Sequence, residues 1–183
     1  MAENKDKMDA ISKFTVASEQ GLDILFTLKE AKFRGMYSQV ARVDELEQFI
    51  IQQLDHRKAM DELNALGNQL IILYVKNRPA GFAITKQTGH YPAVLKGKRV
   101  LHYAFFYILP EFDNIQSRTS LWQKCLSISK TQDAVWMEVL QNDTLLPFFE
   151  SCGFAIHERS VARPFDQPSY ILIRYKDNVL HPQ

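Results

Sequence analysis

Apolar positions change their spacing several times along the chain, and each change marks an element. Lys13–Ala17 (KFTVA) reads as a short opening strand, with Ser18 placed to cap a following helix. From Leu22 onward, Leu22, Leu25, Phe26 and Phe33 fall near one helical face. Asp44 and Glu47 have capping-box spacing, and Leu46, Phe49, Ile50 and Leu54 continue a second amphipathic helix. A third, around Arg57–Leu66, carries Met60 and Leu63 on one face and stops before Gly67.

The period then shortens. Gln69–Val75 (QLIILYV) reads as a strand, Lys76–Pro79 as a turn and Ala80–Lys86 (AGFAITK) as the returning strand. Residues 87–98, with Gly89, Pro92 and Gly97, read as a loop. Val100–Leu109 is a long apolar strand stopped by Pro110. A helix with Leu121, Trp122, Cys125, Leu126 and Ile128 follows. Val135–Leu140 (VWMEVL) reads as a buried strand and Leu145–Cys152 as a short helix stopped by Gly153. Phe154–Arg159 and Tyr170–Tyr175 read as a closing antiparallel pair. The order β-α-α-α-β-β-β-α-β-α-β-β implies an α/β (α+β) fold with a mixed sheet flanked by helices.

Composition narrows the function classes. With 183 residues, 46% of them hydrophobic and 23% charged, the chain is expected to form one domain over residues 1–183. Residues 1–10 and the tail 177–183 read as flexible ends. The net charge is +1 and the basic residues are scattered, so a nucleic-acid partner is not expected. The densest basic run, Lys96-Gly97-Lys98-Arg99, reads as a solvated loop. No signal peptide or membrane-length apolar run is visible, so neither a membrane partner nor a location outside the cytoplasm is expected. Cys125 and Cys152 read as reduced, buried thiols. The histidines, His56, His90, His102, His157 and His181, have no metal-ligand spacing, so no metal is expected. His102 stands apart because it lies inside the long strand.

Two segments carry more information. Phe106–Phe112 (FYILPEF) precedes a loop and a helix. Asn142–Phe154 (NDTLLPFFESCGF) matches N-x-x-A-x-x-F-Y-E-x-x-G-F in spacing throughout. Together with Gly81-Phe82 in the hairpin, these resemble the GNAT acyl-CoA N-acyltransferase superfamily over nearly the whole chain. The layout of Tyr37, Leu46 and Phe49, with Trp136 before Asn142, is similar to the polyamine-type branch.

The resemblance implies two strands that splay apart around acetyl-CoA, with the backbone of Phe106–Ile108 pairing with the pantetheine arm. It implies a backbone N–H that polarises the thioester carbonyl and a helix N-terminus aimed at the pyrophosphate. The implied cofactor-binding residues are Phe106, Ile108, Asn114, Gln116, Ser117, Arg118, Thr119, Ser120, Asn142, Phe148 and Phe149. Glu138 and His102 are the candidate catalytic residues. Of His102 and Tyr103, one is expected to face the cleft and the other the opposite layer, because strand side chains alternate.

Two departures stand out. The family's loop, Q/R-x-x-G-x-G/A, is here Asp113-Asn114-Ile115-Gln116-Ser117-Arg118, without glycines and with an acid first. Either Arg118, with Ser117, Thr119 and Ser120, grips the pyrophosphate by side chain, or the loop has lost CoA and Arg118 is a surface residue. Phe149 stands where the family has the tyrosine that protonates the leaving thiolate. Three functions follow: an N-acetyltransferase acting on an amine of a small molecule or protein, a non-catalytic module binding a ligand or partner, or a transferase of another acyl-CoA. Many relatives with this fold form dimers, and a strand edge near Tyr170–Tyr175 is a candidate contact for a homodimer.

Overall fold

A computed structural model describes residues 10–87 and 89–176. Seven strands form one sheet in the order β1-β2-β3-β4-β5-β7-β6. They are β1 (Ala10–Thr15), β2 (Gln69–Val75), β3 (Arg78–Lys86), β4 (Val100–Ile108), β5 (Ala134–Leu140), β6 (Ala155–Ala162) and β7 (Gln167–Tyr175). The helices are α1 (Glu19–Tyr37), α2 (Val43–Gln53), α3 (His56–Asn64), α4 (Ile115–Ser129) and α5 (Leu146–Ser151). Every strand pair is antiparallel except β4 with β5. The expected mixed, mostly antiparallel sheet flanked by helices is present, in the expected order. The flexible ends expected at 1–10 and 177–183 lie outside the described residues, apart from Ala10, which opens β1.

Local chemistry explains most boundaries. The Ser18 hydroxyl accepts a bond from the Gly21 N–H at 3.1 Å and starts α1. Asp55 does the same for α3, accepting from Lys58 N–H at 2.9 Å. The capping box expected in α2 is not formed. Arg42 holds the cap position without a side-chain bond, Asp44 pairs with Arg42, and Glu47 reaches across to Arg34 on α1. A partner on a neighbouring helix displaces the local one.

The β2–β3 hairpin turns on only two residues, Lys76 and Asn77, with φ of 50° and 62°. Val75 therefore pairs with Arg78, and β3 starts two residues earlier than its apolar run. At Gly81 a Cβ would lie 2.4 Å from the Tyr107 carbonyl oxygen, so the backbones of β3 and β4 approach there as only glycine allows. Gly153, at φ 91°, closes α5.

The sheet has a core on each face. Leu101, Tyr103, Phe106 and Ile108 of β4 join Val135, Met137 and Val139 of β5 with Leu121 and Cys125 of α4 and Phe149 of α5. On the other face, Leu22, Leu25, Phe26 and Leu28 of α1 pack on Leu70, Ile72, Phe82 and Ile84. Phe33, Tyr37, Leu46 and Ile50 extend that layer toward the gap between β4 and β5. Cys125 is buried as expected, but Cys152 is only half-buried because it sits at the end of α5. β7 is flanked by β5 and β6, so Tyr170–Tyr175 is not an edge; the edges are β1 and the exposed β6. Among the described residues no helix is long and apolar enough to cross a membrane.

Candidate active site

The cleft begins where the parallel pairing of β4 with β5 gives out. β4 and β5 pair from Val100–His102 to Ala134–Trp136, and both strands then run on unpaired toward each other's side. The gap exposes backbone edges on β4 from Tyr103 to Ile108 and on β5 from Met137 to Leu140. Unpaired N–H and C=O groups at a strand edge invite an extended ligand. The register of β3 on β4 skips Ala104, because Ile84 pairs with Phe105 and Thr85 with Tyr103. That bulge lies at the mouth of the gap and turns the strand there.

The bulge also sorts the side chains of β4. His102, Phe105 and Tyr107 turn to the α1 face, while Tyr103 packs with Trp122 and Phe154 in the α4 core. His102 lies flat on Trp136, with centroids 3.8 Å apart and planes 4° apart. Burial, with Lys86 adding to it, holds the His102 imidazole down to about 4, so at neutral pH the ring is uncharged. Glu138, on the same face of β5, is exposed and accepts a 2.6 Å bond from the Ser169 hydroxyl. Burial pushes the Tyr37 phenol up, and the charge of Glu138 adds to this.

These residues line an inner lobe of about 290 Å³, roofed by α1 and α2. Phe149 closes its floor. It is 1% exposed and meets Phe106 edge-on at 5.2 Å, with Phe148 6.3 Å from Phe106. Neither phenylalanine brings a polar atom to the cleft.

An outer lobe of about 550 Å³ continues from the inner one, past Phe106–Ile108, to Asp113, Arg118, Asn142 and Asp143. At its far end the N-terminus of α4 is already satisfied by the chain itself. The Asn114 side-chain oxygen accepts from the N–H groups of Gln116 and Ser117 at 3.0 and 3.1 Å. Arg118 grips both oxygens of Asp113, at 2.6 and 2.8 Å. Arg118 is thus neither an unengaged gripper nor a plain surface residue. Asp113 is neutralised rather than left to repel.

The loop residues do not all face this lobe. Gln116, Thr119 and Ser120 line a separate depression beside β1, and Ser120 bonds Ser12 at 2.9 Å. Ser117 is fully buried, with no partner for its hydroxyl. Asn142 is exposed and lines the outer lobe. No group of three His, Cys, Asp or Glu side chains among the described residues is arranged to hold a metal.

One cleft residue escaped the sequence reading. Lys32 of α1 lines both lobes, with its ammonium 5.5 Å from the centre of the Tyr107 ring. Lys29, one turn earlier, is 5% exposed and sits over Phe105 at 5.0 Å. Burial pushes both lysines down; Glu62 opposes this at Lys29 and Asp143 at Lys32. The signal was present as two lysines set within the apolar stripe of α1, where a core-facing stripe would carry Leu or Ala.

The family model for the acetyltransferase (GNAT) domain matches residues 13–164. No curated protein sequence matches the chain. Among solved structures, the PaiA N-acetyltransferase of Thermoplasma acidophilum in complex with coenzyme A is similar in fold, with a TM-score of 0.70 at 13% identity, covering 92% of this chain and 99% of that one. The GNAT-family acetyltransferase of Streptococcus pneumoniae gives 0.64 at 10% identity, covering 91% and 99%. A chain of the NatC complex bound to Gag peptide and CoA gives 0.63 at 12%, covering 92% and 99%.

Proposed function

The chain belongs to the GNAT acetyltransferase family, and we propose that it transfers the acetyl group of acetyl-CoA to an amine of a small molecule or protein. The observation that carries this reading is the parting of β4 from β5 beside a continuous two-lobed cleft. A pantetheine arm is an extended chain with two amides, and the free edges of Phe106–Ile108 and of β5 offer it N–H and C=O partners. Asn142, at the end of β5, would add its side-chain amide.

The pyrophosphate end fits less well. The backbone N–H groups that would meet phosphate are held by Asn114, and no glycine exposes others. A phosphate would have to draw Arg118 from Asp113, exchanging one charge-assisted pair for another. Ser117 would contribute only through its backbone, and Gln116, Thr119 and Ser120 would not contribute from the β1 side.

The acceptor would enter the inner lobe under α1 and α2. Glu138 is the best-placed base, acting directly or through water, because its carboxylate is exposed at the lobe and fixed by Ser169. His102, held neutral with a low proton affinity, is suited to shaping the lobe against Trp136 more than to taking a proton. The pairing of Glu138 with the aromatic rings of Tyr37 and Phe49 supports a cationic amine, and with it the polyamine-type acceptor, since such walls hold ammonium groups.

The second reading, a GNAT-like module that binds no CoA, is favoured by the closed α4 terminus alone. Calorimetric titration of the whole chain with acetyl-CoA and with CoA separates the two. Heat and a rise in melting temperature are expected with both ligands; neither effect at millimolar ligand would overturn the transferase reading.

A further inference from the structure

Phe149 leaves the cleft without a hydroxyl at the leaving group, and the structure offers another donor. We propose that Lys32 delivers the proton to the departing CoA thiolate. The proposal rests on the acetyl-CoA reading above.

The inner and outer lobes meet at a neck lined by Lys32, Met36, Phe106, Leu140 and Asp143. With its arm along the outer lobe and its acetyl group meeting an amine in the inner one, acetyl-CoA places its carbon–sulfur bond in that neck. Two of the neck side chains titrate. Asp143 is engaged by its own turn, where a carboxylate oxygen accepts from the Leu145 N–H at 2.8 Å. Lys32 is partly buried over Tyr107 and forms no ion pair among the described residues, which leaves its N–H groups for an occupant of the neck.

Desolvation makes the Lys32 proton easier to release, while Asp143 keeps the charged form accessible. A lysine whose proton is easier to release than an ordinary lysine's is the better matched to a departing thiolate. The other titratable groups of the lobe are worse placed. His102 is neutral and stacked on Trp136 beside the paired end of β4, and burial pushes the phenols of Tyr37 and Tyr107 up, so each holds its proton more tightly.

The step balances. The nitrogen of the neutral acceptor amine bonds to the acetyl carbonyl carbon. The carbon–sulfur bond breaks, its electron pair stays on sulfur, and Lys32 gives sulfur a proton. The new amide loses its extra proton to Glu138 or water, and the neutral Lys32 amine takes one from solvent. Acetyl-CoA and amine become amide and CoA thiol.

The test needs no acceptor. CoA carrying carbon-13 beside its sulfur is bound to the full chain, and its thiol is titrated by NMR in the wild type, Lys32→Met and Lys32→Arg. An ammonium beside the sulfur favours the thiolate, so the bound thiol should titrate at least about one pH unit lower in the wild type than in Lys32→Met. Lys32→Arg, which keeps the charge, should retain the lowering. Desulfo-CoA should bind wild type and Lys32→Met equally. If Lys32→Met does not fold, Lys32→Gln takes its place.

Equal titration in wild type and the neutral variants, with CoA bound in both, overturns the role of Lys32 and leaves the transferase reading standing. Absence of CoA binding by the wild type removes that reading and this proposal together. One added acetyl group on Lys32 after incubation with acetyl-CoA would make it an acceptor, and overturns its role as donor.

Discussion

At its inner end the cleft is made by backbone, where β4 and β5 stop pairing after His102 and Trp136 and a bulge at Ala104 turns the strand. At its outer end it is made by side chains that satisfy one another, Asn114 on the first turn of α4 and Asp113 on Arg118. The inner end stays open because sheet topology leaves its edges without partners, and no single side chain can close them. The outer end is closed because Asn114, Asp113 and Arg118 have each found a neighbour. A ligand therefore enters one end at little cost and must displace existing bonds at the other.

The inner end should break only through its core. Phe149 supports it from below, fully buried against Phe106 and Phe154. Phe149→Ala should cost about 3–5 kcal/mol of stability, read as a large fall in denaturation midpoint. Phe149→Leu should cost less than half of that. A loss under about 1 kcal/mol in the alanine variant would mean that the cleft floor is not held by this ring.

The same end should respond to acid through His102. In the folded chain its imidazole is held down to about 4, against 6.5 for an ordinary histidine. Above pH 6.5 the ring is neutral in both states and its contribution is intact. As pH falls from 6.5 toward 4, the unfolded chain binds a proton that the folded chain refuses, and stability drops. The loss should total about 2–3 kcal/mol by pH 4. His102→Phe, which keeps a ring on Trp136, should flatten the stability profile over that window, and an unchanged slope would refute the assignment.

The contrast also explains what a reader of the sequence could find. Gln69–Val75 was legible because apolar residues run on both of its faces, and β4 because none of its residues is exposed and apolar or aromatic side chains fill every position but His102. The ends of the last hairpin, Ser160–Ala162 of β6 and Gln167–Ser169 of β7, were not: β6 is exposed nearly throughout, so burial does not pattern its sequence. The Asn142–Phe154 segment was legible because a short motif holds it. The splay was reached only through family resemblance, since it depends on how far two distant strands pair. Asp113 and Arg118 were visible as charges but not as partners. Asn114 was read as a ligand group, whereas the structure spends it on the helix cap. Lys32 was hidden because α1 was judged by its apolar residues alone.

The outer end should yield to substitutions too small to disturb the fold. Arg118→Ala removes a cation at the α4 terminus and leaves Asp113 without its partner. CoA affinity should fall by about 1.5–3 kcal/mol, roughly 10- to 100-fold, by calorimetry. Asp113→Asn keeps the shape and releases Arg118, so affinity should rise several-fold, more at low salt than at high. Stability should fall by about 1–2 kcal/mol, because the pair is mostly shielded from solvent. Affinity unchanged in both variants would show that phosphate never meets this pair.

Asn114→Ala gives the smallest effect and the most direct reading of the contrast. Its side-chain oxygen satisfies the N–H groups of Gln116 and Ser117, and loss of such a cap costs about 1 kcal/mol. In an ordinary helix that would be the whole effect. Here the two N–H groups freed by the substitution are those a phosphate would need, so the same change that loosens the empty protein should tighten its hold on CoA. The free variant should melt lower than wild type, and saturation with CoA should close that gap. If instead affinity falls with stability, Asn114 holds the α4 terminus in the shape that phosphate requires, and the outer end is preorganised rather than blocked.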